Sequence, residues 1–215
     1  MKFPELKPAR FIKRLNRFVG LVELKGKEYT AYIRNTGRLK ELLFEGNKVY
    51  VARRENKHPF EIVLASFGKY LVCIDSHITP KLYAEYLGVS PQFEPCFGNK
   101  RFDLLLDKRP VEVKSVNLVE KDVALFPDAP TKRGREHIEK LIELSKEGYK
   151  PLIVFVVQRE DGKVFSPNWR IDPEFSQALL KYSKLGLEVR AYRCEVSLEE
   201  IKLKEEIPVV LEGKT

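Results

Sequence analysis

The chain has no hydrophobic run longer than Leu152 to Val157, far short of the roughly 20 residues a membrane-spanning helix needs. Its first residues, Met-Lys-Phe-Pro-Glu, lack the apolar region of a secretory signal. Cysteine is scarce. Cys73, Cys96 and Cys194 are odd in number and far apart, which argues against a disulfide framework and leaves no metal-ligand or redox spacing. They read as reduced core residues of a cytoplasmic protein. One Met, little Gln and abundant Lys, Arg and Glu suit a thermophile. The sequence has no phosphate loop, internal repeat or low-complexity segment. It also has no helix-turn-helix pattern, which disfavours operator recognition in the major groove.

What is present is a globular composition: 215 residues, 43% hydrophobic and 33% charged, enough for one large or two small domains. The net charge of +8 is unevenly placed. Residues 1 to 80 hold 16 Lys and Arg against 8 Asp and Glu, whereas residues 81 to 215 hold 23 of each sign. A basic part beside a neutral one points to a bound polyanion. Charge alone is explained equally well by a solvated basic surface.

Residues 9 to 72 read as strands: Phe18 to Leu24, Tyr29 to Arg34, Lys48 to Arg54, Glu61 to Phe67 and Tyr70 to Asp75, separated by Gly, Asn and Pro. Short strands this rich in β-branched and aromatic residues predict a small closed barrel of the OB kind, with an SH3-like barrel as the alternative. Arg10, Lys13, Arg14, Arg17, Arg34, Arg38, Arg53 and Arg54 are interleaved with Phe11, Phe18, Tyr29 and Tyr32. A basic groove with aromatic platforms is how such barrels hold nucleic acid. Most of these rings must nonetheless fill the core, leaving one or two for stacking. Asn35-Thr36-Gly37, flanked by Arg34 and Arg38, is either a phosphate cup or an ordinary turn.

Thr79-Pro80 predicts a helix start, with Leu82 to Leu87 helical, Glu85 on it and Gly88 ending it. Residues 90 to 99 read as loop. Two strands then follow with a polar turn over Asp107 to Pro110. On Val111 to Val116, Glu112 and Lys114 share one face and Val111 and Val113 the other. Pairing of the two strands brings Asp103 near Glu112. Two carboxylates are the usual protein share of a Mg²⁺ site, and a lysine beside them can orient a water or stabilise a phosphoryl transition state. A lone Glu-x-Lys is more often the charged outer face of a hairpin. Asp103 in an apolar strand favours function, because a buried carboxylate needs a partner or a metal.

Leu125 to Pro130 reads as a connector. Thr131 caps a helix from Lys132 to Glu147 with Ile138, Leu141, Ile142 and Ser145 inward. Arg133, Arg135 and His137 lie in its first turns, where cations oppose the helix dipole and a phosphate would be welcome. A plain surface histidine is as good a reading of His137. Pro151 to Arg159 is a central buried strand closed by Gln158. Asp172-Pro173 opens a helix with Phe175, Leu179 and Tyr182 inward, and Leu187 to Tyr192 is a strand. Ser197-Leu-Glu-Glu predicts a capping box for a short final helix. The second half is therefore expected to be an α/β sandwich around a mixed sheet.

The spacing of Asp103 and Glu112-x-Lys114, followed by a helix and a buried strand, resembles the PD-(D/E)XK, restriction-endonuclease-like, nuclease fold. The whole chain is similar to the sugar fermentation stimulation protein (SfsA) family. The strings that carry the likeness are Asn35-Thr36-Gly37, Arg101-Phe102-Asp103, Val111-Glu-Val-Lys-Ser-Val116, Phe126-Pro-Asp-Ala129, Arg133-Gly134-x-x-His137, Val157-Gln-Arg159 and Ile171-Asp-Pro173. The chain departs from the family in Tyr32-Ile33-Arg34, where His-Cys-Pro is usual, and in Lys100, where Ser is usual.

The resemblance implies two domains: an OB-fold-like nucleic-acid-binding barrel at 1–80 and a nuclease-like domain with a mixed sheet at 81–215. It implies binding of DNA with little sequence preference and an association with regulation of sugar metabolism. Mapped onto the nuclease pattern, Asp103 and Glu112 become ligands of Mg²⁺ or Mn²⁺, Lys114 the catalytic lysine, Glu85 an extra acidic ligand and Gln158 an accessory residue. The expected nucleic-acid contacts are Arg10, Lys13, Arg14, Arg17, Arg34, Asn35, Arg38, Arg53, Arg54, Arg133 and His137. Three readings stay open: a metal-dependent deoxyribonuclease, a non-catalytic DNA-binding regulator, and an enzyme acting on RNA. A homodimer is also an expectation, since many nucleases of this fold pair.

Overall fold

The computed structural model describes residues 1–213. Its first part contains β1 (Leu6–Asn16), β2 (Val19–Leu24), β3 (Lys27–Tyr32), β4 (Lys48–Arg53), β5 (Phe60–Phe67) and β6 (Tyr70–Cys73). They follow the order β3-β2-β1-β4-β5-β6, and a parallel pairing of β3 with β5 closes five of them into a barrel. β1 is the strand that sequence reading leaves unassigned. Its basic residues mask a pattern in which Ala9 and Phe11 turn inward while Arg10 and Lys13 face water. Phe11, Val22, Ile33, Leu42, Val49, Ile62 and Val72 fill the interior.

The second part begins with α1 (Thr79–Leu87), ended by Gly88 in the left-handed region at φ 66°. Short strands β7 (Gln92–Phe93), β8 (Cys96–Phe97) and β9 (Lys100–Arg101) lead to β10 (Leu104–Leu106) and β11 (Arg109–Val116). Then come β12 (Leu118–Glu120), β13 (Val123–Phe126), α2 (Lys132–Lys146), β14 (Leu152–Val157), β15 (Val164–Pro167), α3 (Pro173–Lys184), β16 (Glu188–Val196) and β17 (Ile201–Ile207). The main sheet runs β17-β16-β14-β11-β10-β7. β14 lies parallel to both neighbours, and the β10–β11 and β16–β17 pairs are antiparallel, so the sheet is mixed. No helix among the described residues is long and apolar enough to cross a membrane.

Three expectations need correction. The segment 197–200 forms the turn between β16 and β17 instead of opening a helix. Ser197 does accept from Glu200 N at 3.1 Å, but Ile201-Lys-Leu-Lys alternates with period two and pairs with β16. The supposed connector at 125–130 begins inside β13, which joins β12 and β15 in a small second sheet. Cys73 and Cys194 are buried as expected, whereas Cys96 is exposed.

The faces of the main sheet are covered differently. Val111, Val113, Val154, Val156 and Cys194 pack against Leu82 and Tyr83 of α1 and against Leu64 and Cys73 of the barrel. Ile153, Phe155, Val157 and Val116 pack under α2 and α3 through Ile138, Leu141, Phe175, Leu179 and Tyr182. In the parallel register Glu112 pairs with Ile153 and Lys114 with Phe155, so both side chains project on the α2/α3 face.

Asp172 holds the two helices of that face together. Its carboxylate accepts from Phe175 N at 2.9 Å, capping α3, and from Thr131 N at 2.7 Å, at the residue that caps α2. Asp172→Ala removes one cap and orphans a second N–H, so it is expected to cost about 2–3 kcal/mol. Asp172→Asn, which keeps one acceptor oxygen, should cost less. Urea unfolding checks this: the midpoint should fall with an unchanged m-value, and equal midpoints for Asp172→Ala and wild type would contradict it.

Candidate active site

The expected pair of carboxylates does form. Asp103 precedes β10, and its Oδ2 accepts from Val113 N at 2.7 Å, which fixes it beside Glu112 on the neighbouring strand. Glu112 is 4% exposed. Its Oε1 accepts from Lys114 Nζ and, at 2.7 Å, from His137 Nδ1. Its Oε2 is buried with no hydrogen-bond partner.

His137 comes from α2, six residues after its cap Thr131. It is 4% exposed, so the surface reading of this residue is wrong. The signal for burial was in the sequence: positions 134, 137, 138, 141 and 142 form one helical stripe. Phe102 packs edge-on against the ring at 5.4 Å, and Arg133 Nε donates to its Nε2 at 3.4 Å.

The electrostatics of the two carboxylates diverge. Burial alone would raise Glu112, but the Lys114 ammonium and His137 outweigh it and hold the carboxyl below its ordinary range. Asp103 is pushed up to about 7, by burial first and then by the charge of Glu112. Without a cation, the second carboxylate is therefore costly to ionise.

This pair opens into a cleft of about 620 Å³ whose walls come from both parts of the chain. Arg17, Asn35, Thr36 and Gly37 of the barrel line it together with His77, Arg101, Lys114, Asp128 and Arg133. Asn35 is buried and acts as a joint. Its Nδ2 donates to Ile74 O and to Asn117 Oδ1, both at 2.9 Å, and its Oδ1 accepts from Gly37 N. The cup is closed by Asp128: a Cβ on Gly37 would lie 2.5 Å from Asp128 Oδ2, which also accepts from Leu39 N at 3.1 Å. This close approach is why Gly stands at 37.

Other expected site residues are placed elsewhere. Glu85 does not join the carboxylates. It sits on α1, on the opposite face of the main sheet from Glu112, and its carboxylate pairs at 3.0 Å with the Met1 ammonium. Gln158 is fully buried behind the cleft, where Oε1 accepts from Ser115 Oγ and Nε2 donates to Asp75 O at 2.9 Å. It braces the seam between barrel and sheet.

The basic residues also divide. Arg14 donates to the carbonyls of Arg17, Asn35, Gly37 and Arg38 and so builds the loop instead of facing a ligand. Arg34 pairs with Asp75 at 3.3 Å, Arg10 with Glu23 at 2.6 Å and Arg54 with Glu61 at 3.6 Å. Lys13, Arg17, Arg38, Arg53 and Arg133 remain exposed. Sequence reasoning missed His77, Arg101, Ser115, Asn117 and Asp128 as cleft residues. Arg101, Ser115 and Asp128 lay within the family-like strings without an assigned task; His77 and Asn117 carried no local signal.

The comparisons agree with this architecture. A family model described as the SfsA N-terminal OB domain matches residues 12–74, and one described as the sugar fermentation stimulation protein RE domain matches residues 72–200. A sugar fermentation stimulation protein homolog of Aquifex aeolicus is 54% identical over 211 residues, covering 95% of this chain and 98% of its own length. A homolog from Caldanaerobacter subterraneus is 41% identical over 228 residues, covering 98% and 99%. The solved structure of Pyrococcus furiosus SfsA in complex with Ca²⁺ is similar with a TM-score of 0.89 at 32% identity, covering 98% of both chains. With an OB barrel joined to a mixed α/β sheet and these matches along nearly its whole length, the chain belongs to the sugar fermentation stimulation protein (SfsA) family.

Proposed function

We propose that the protein binds DNA with little sequence preference and hydrolyses phosphodiester bonds at Asp103, Glu112 and Lys114 with Mg²⁺ or Mn²⁺. The observation that carries this reading is the state of the two carboxylates. Glu112 is held ionised with a buried, unpartnered Oε2, and Asp103 resists ionising beside it. A divalent cation held by both would satisfy the first and relieve the second. The relative solved with Ca²⁺ supports the same reading. Two carboxylates, completed by water and phosphate oxygens, are the usual protein share of a Mg²⁺ site.

When bound, the cation neutralises charge on the phosphate and favours ionisation of a water. The chain's own groups do the rest. Lys114, tethered to Glu112, faces the cleft and can orient the attacking water and stabilise charge developing on phosphate oxygens. Arg17, Arg101 and Arg133 at the walls can hold neighbouring phosphates. His137 fixes the Glu112 rotamer through its bond to Oε1, and so acts as a positioning residue.

The alternative is a DNA-binding regulator that cleaves nothing. An assay with single-stranded, duplex, flapped and junction DNA, in Mg²⁺, Mn²⁺ or chelator, separates the two. Cleavage should require metal, and Glu112→Gln and Lys114→Ala should each lower its rate by about 10²-fold or more. DNA affinity in chelator should stay within about two-fold and should fall steeply with salt. Intact DNA under every condition, with salt-sensitive binding retained, would move the reading to the regulator. Competition between matched DNA and RNA oligomers identifies the polymer.

A second prediction concerns pH without metal. Because the folded Asp103 carboxyl is raised to about 7 from 3.8, the folded state keeps a proton that the unfolded chain has already lost. Stability from this group is full below pH 3.8 and is lost as pH rises toward 7. Asp103→Asn keeps the acceptor for Val113 N and removes the loss. It should match wild type near pH 4 and exceed it by about 1–3 kcal/mol at pH 8, the figure being reduced for solvent at the cleft. A difference that does not grow with pH would show that Asp103 is not held protonated.

A further inference from the structure

Away from the carboxylates, the barrel carries a second built feature. Phe18, in the turn between β1 and β2, is 41% exposed although its ring is large and apolar. It lies nearly parallel to Tyr32 at the end of β3, with ring centroids 6.4 Å apart and planes at 27°. The Arg17 guanidinium sits 5.7 Å from the Phe18 ring, and that of Arg54, at the start of the β4–β5 loop, sits 4.5 Å from Tyr32. The β1–β2 loop, β3 and the β4–β5 loop form the surface on which OB barrels take oligonucleotides and oligosaccharides.

The turn is held in place by the protein alone. Phe18 N donates to Asn16 Oδ1 and Phe18 O accepts from Ile33 N, both at 2.8 Å, while Arg17 O accepts from Arg14 Nη2 at 2.8 Å. The ring is thus presented without the ordering cost a loose loop would incur. Charge decides between the two ligand classes. Arg17 and Arg54 lie against the two rings, Arg54 being paired with Glu61 at 3.6 Å, and the strands that carry the site add the exposed Lys13 and Arg53, so the surface suits a polyanion. The same Arg17 lines the carboxylate cleft, and from Tyr32 to Asn35 in that cleft is three residues, about 10 Å of extended chain.

We infer that Phe18 and Tyr32, flanked by Arg17 and Arg54, form a stacking platform for unpaired bases, and that the nucleic acid passing to the Asp103–Glu112 cleft is single-stranded there; the second half of this inference rests on the hydrolase reading above. In a duplex each base face is covered by its neighbours, so a ring platform of this kind rewards only bases outside a helix.

Fluorescence anisotropy in chelator tests it, with labelled oligothymidylate and a duplex of the same length. Wild type should bind the single strand about ten-fold tighter or more. Phe18→Ala should weaken single-strand binding by about ten-fold while leaving duplex binding within about two-fold. Phe18→Trp should retain single-strand affinity, and its added indole emission should be quenched when oligothymidylate binds. An unchanged urea midpoint confirms that the exposed site tolerates alanine. Equal wild-type affinity for the two oligomers, binding of neither, or a Phe18→Ala effect equal on both would overturn the platform. Because no arm requires cleavage, metal-dependent cleavage without single-strand preference sinks only the platform, and single-strand preference without cleavage sinks only the hydrolase reading.

Discussion

A carboxylate taken out of water must find compensating charge or hydrogen bonds, and Glu112 is the place in this fold where that requirement is met by several elements at once. Lys114 reaches it from the same strand, His137 from α2, and Asp103 is set beside it by a bond to the next backbone N–H along β11. The arrangement exists only because β11 lies parallel to β14 in the observed register. A slip of one residue would turn Glu112 and Lys114 into the apolar layer under the barrel and move Val111 and Val113 to the α2/α3 face. The buried valines therefore specify the register, and the register specifies the site.

The joint between barrel and sheet matters nearly as much. Asn35 and Asn117 meet across it, Asn117 Nδ2 donates to Cys73 O at 2.7 Å, and Cys73 N donates to Gln158 O at 3.0 Å. The fully buried Arg159 donates to Asn117 O, forks onto Asp161 and lies over the Phe67 ring at 4.3 Å. With Leu64 and Cys73 packed into the same apolar cluster as Val111 and Val154, the barrel is part of the second unit's core. One wall of the cleft is accordingly a barrel loop, and it is held in a single position.

The charge asymmetry along the chain takes a different meaning in three dimensions. Much of the N-terminal excess is spent internally: Arg14 organises carbonyls, and Arg10, Arg34 and Arg54 are paired. The cations that face the cleft are few and come from distant places, Arg17 in the barrel, Arg101 before β10, Lys114 on β11 and Arg133 on α2. Net charge counted along a sequence cannot distinguish a guanidinium that holds a loop from one that faces solvent, since both carry the same charge.

Local patterns were enough for whatever depends on neighbours in sequence. The closed barrel with its glycine turns, the capped helices α2 and α3, the buried run of β14 and the shared face of Glu112 and Lys114 all follow from periodicity and capping chemistry. The same reasoning failed where competing local signals had to be settled by pairing. Ser197-Leu-Glu-Glu looks like a helix cap, but β16 recruits the next residues as a strand. β1 receives no bounds from its own sequence, and the pairing of β2 and β4 on both its sides defines it. Glu85 is a plausible third ligand by order along the chain, yet α1 packs on the face of the sheet that Glu112 does not use. Which side of a sheet a helix covers, and how far a barrel loop leans over its edge, are set by contacts between residues tens of positions apart, and only the folded chain decides them.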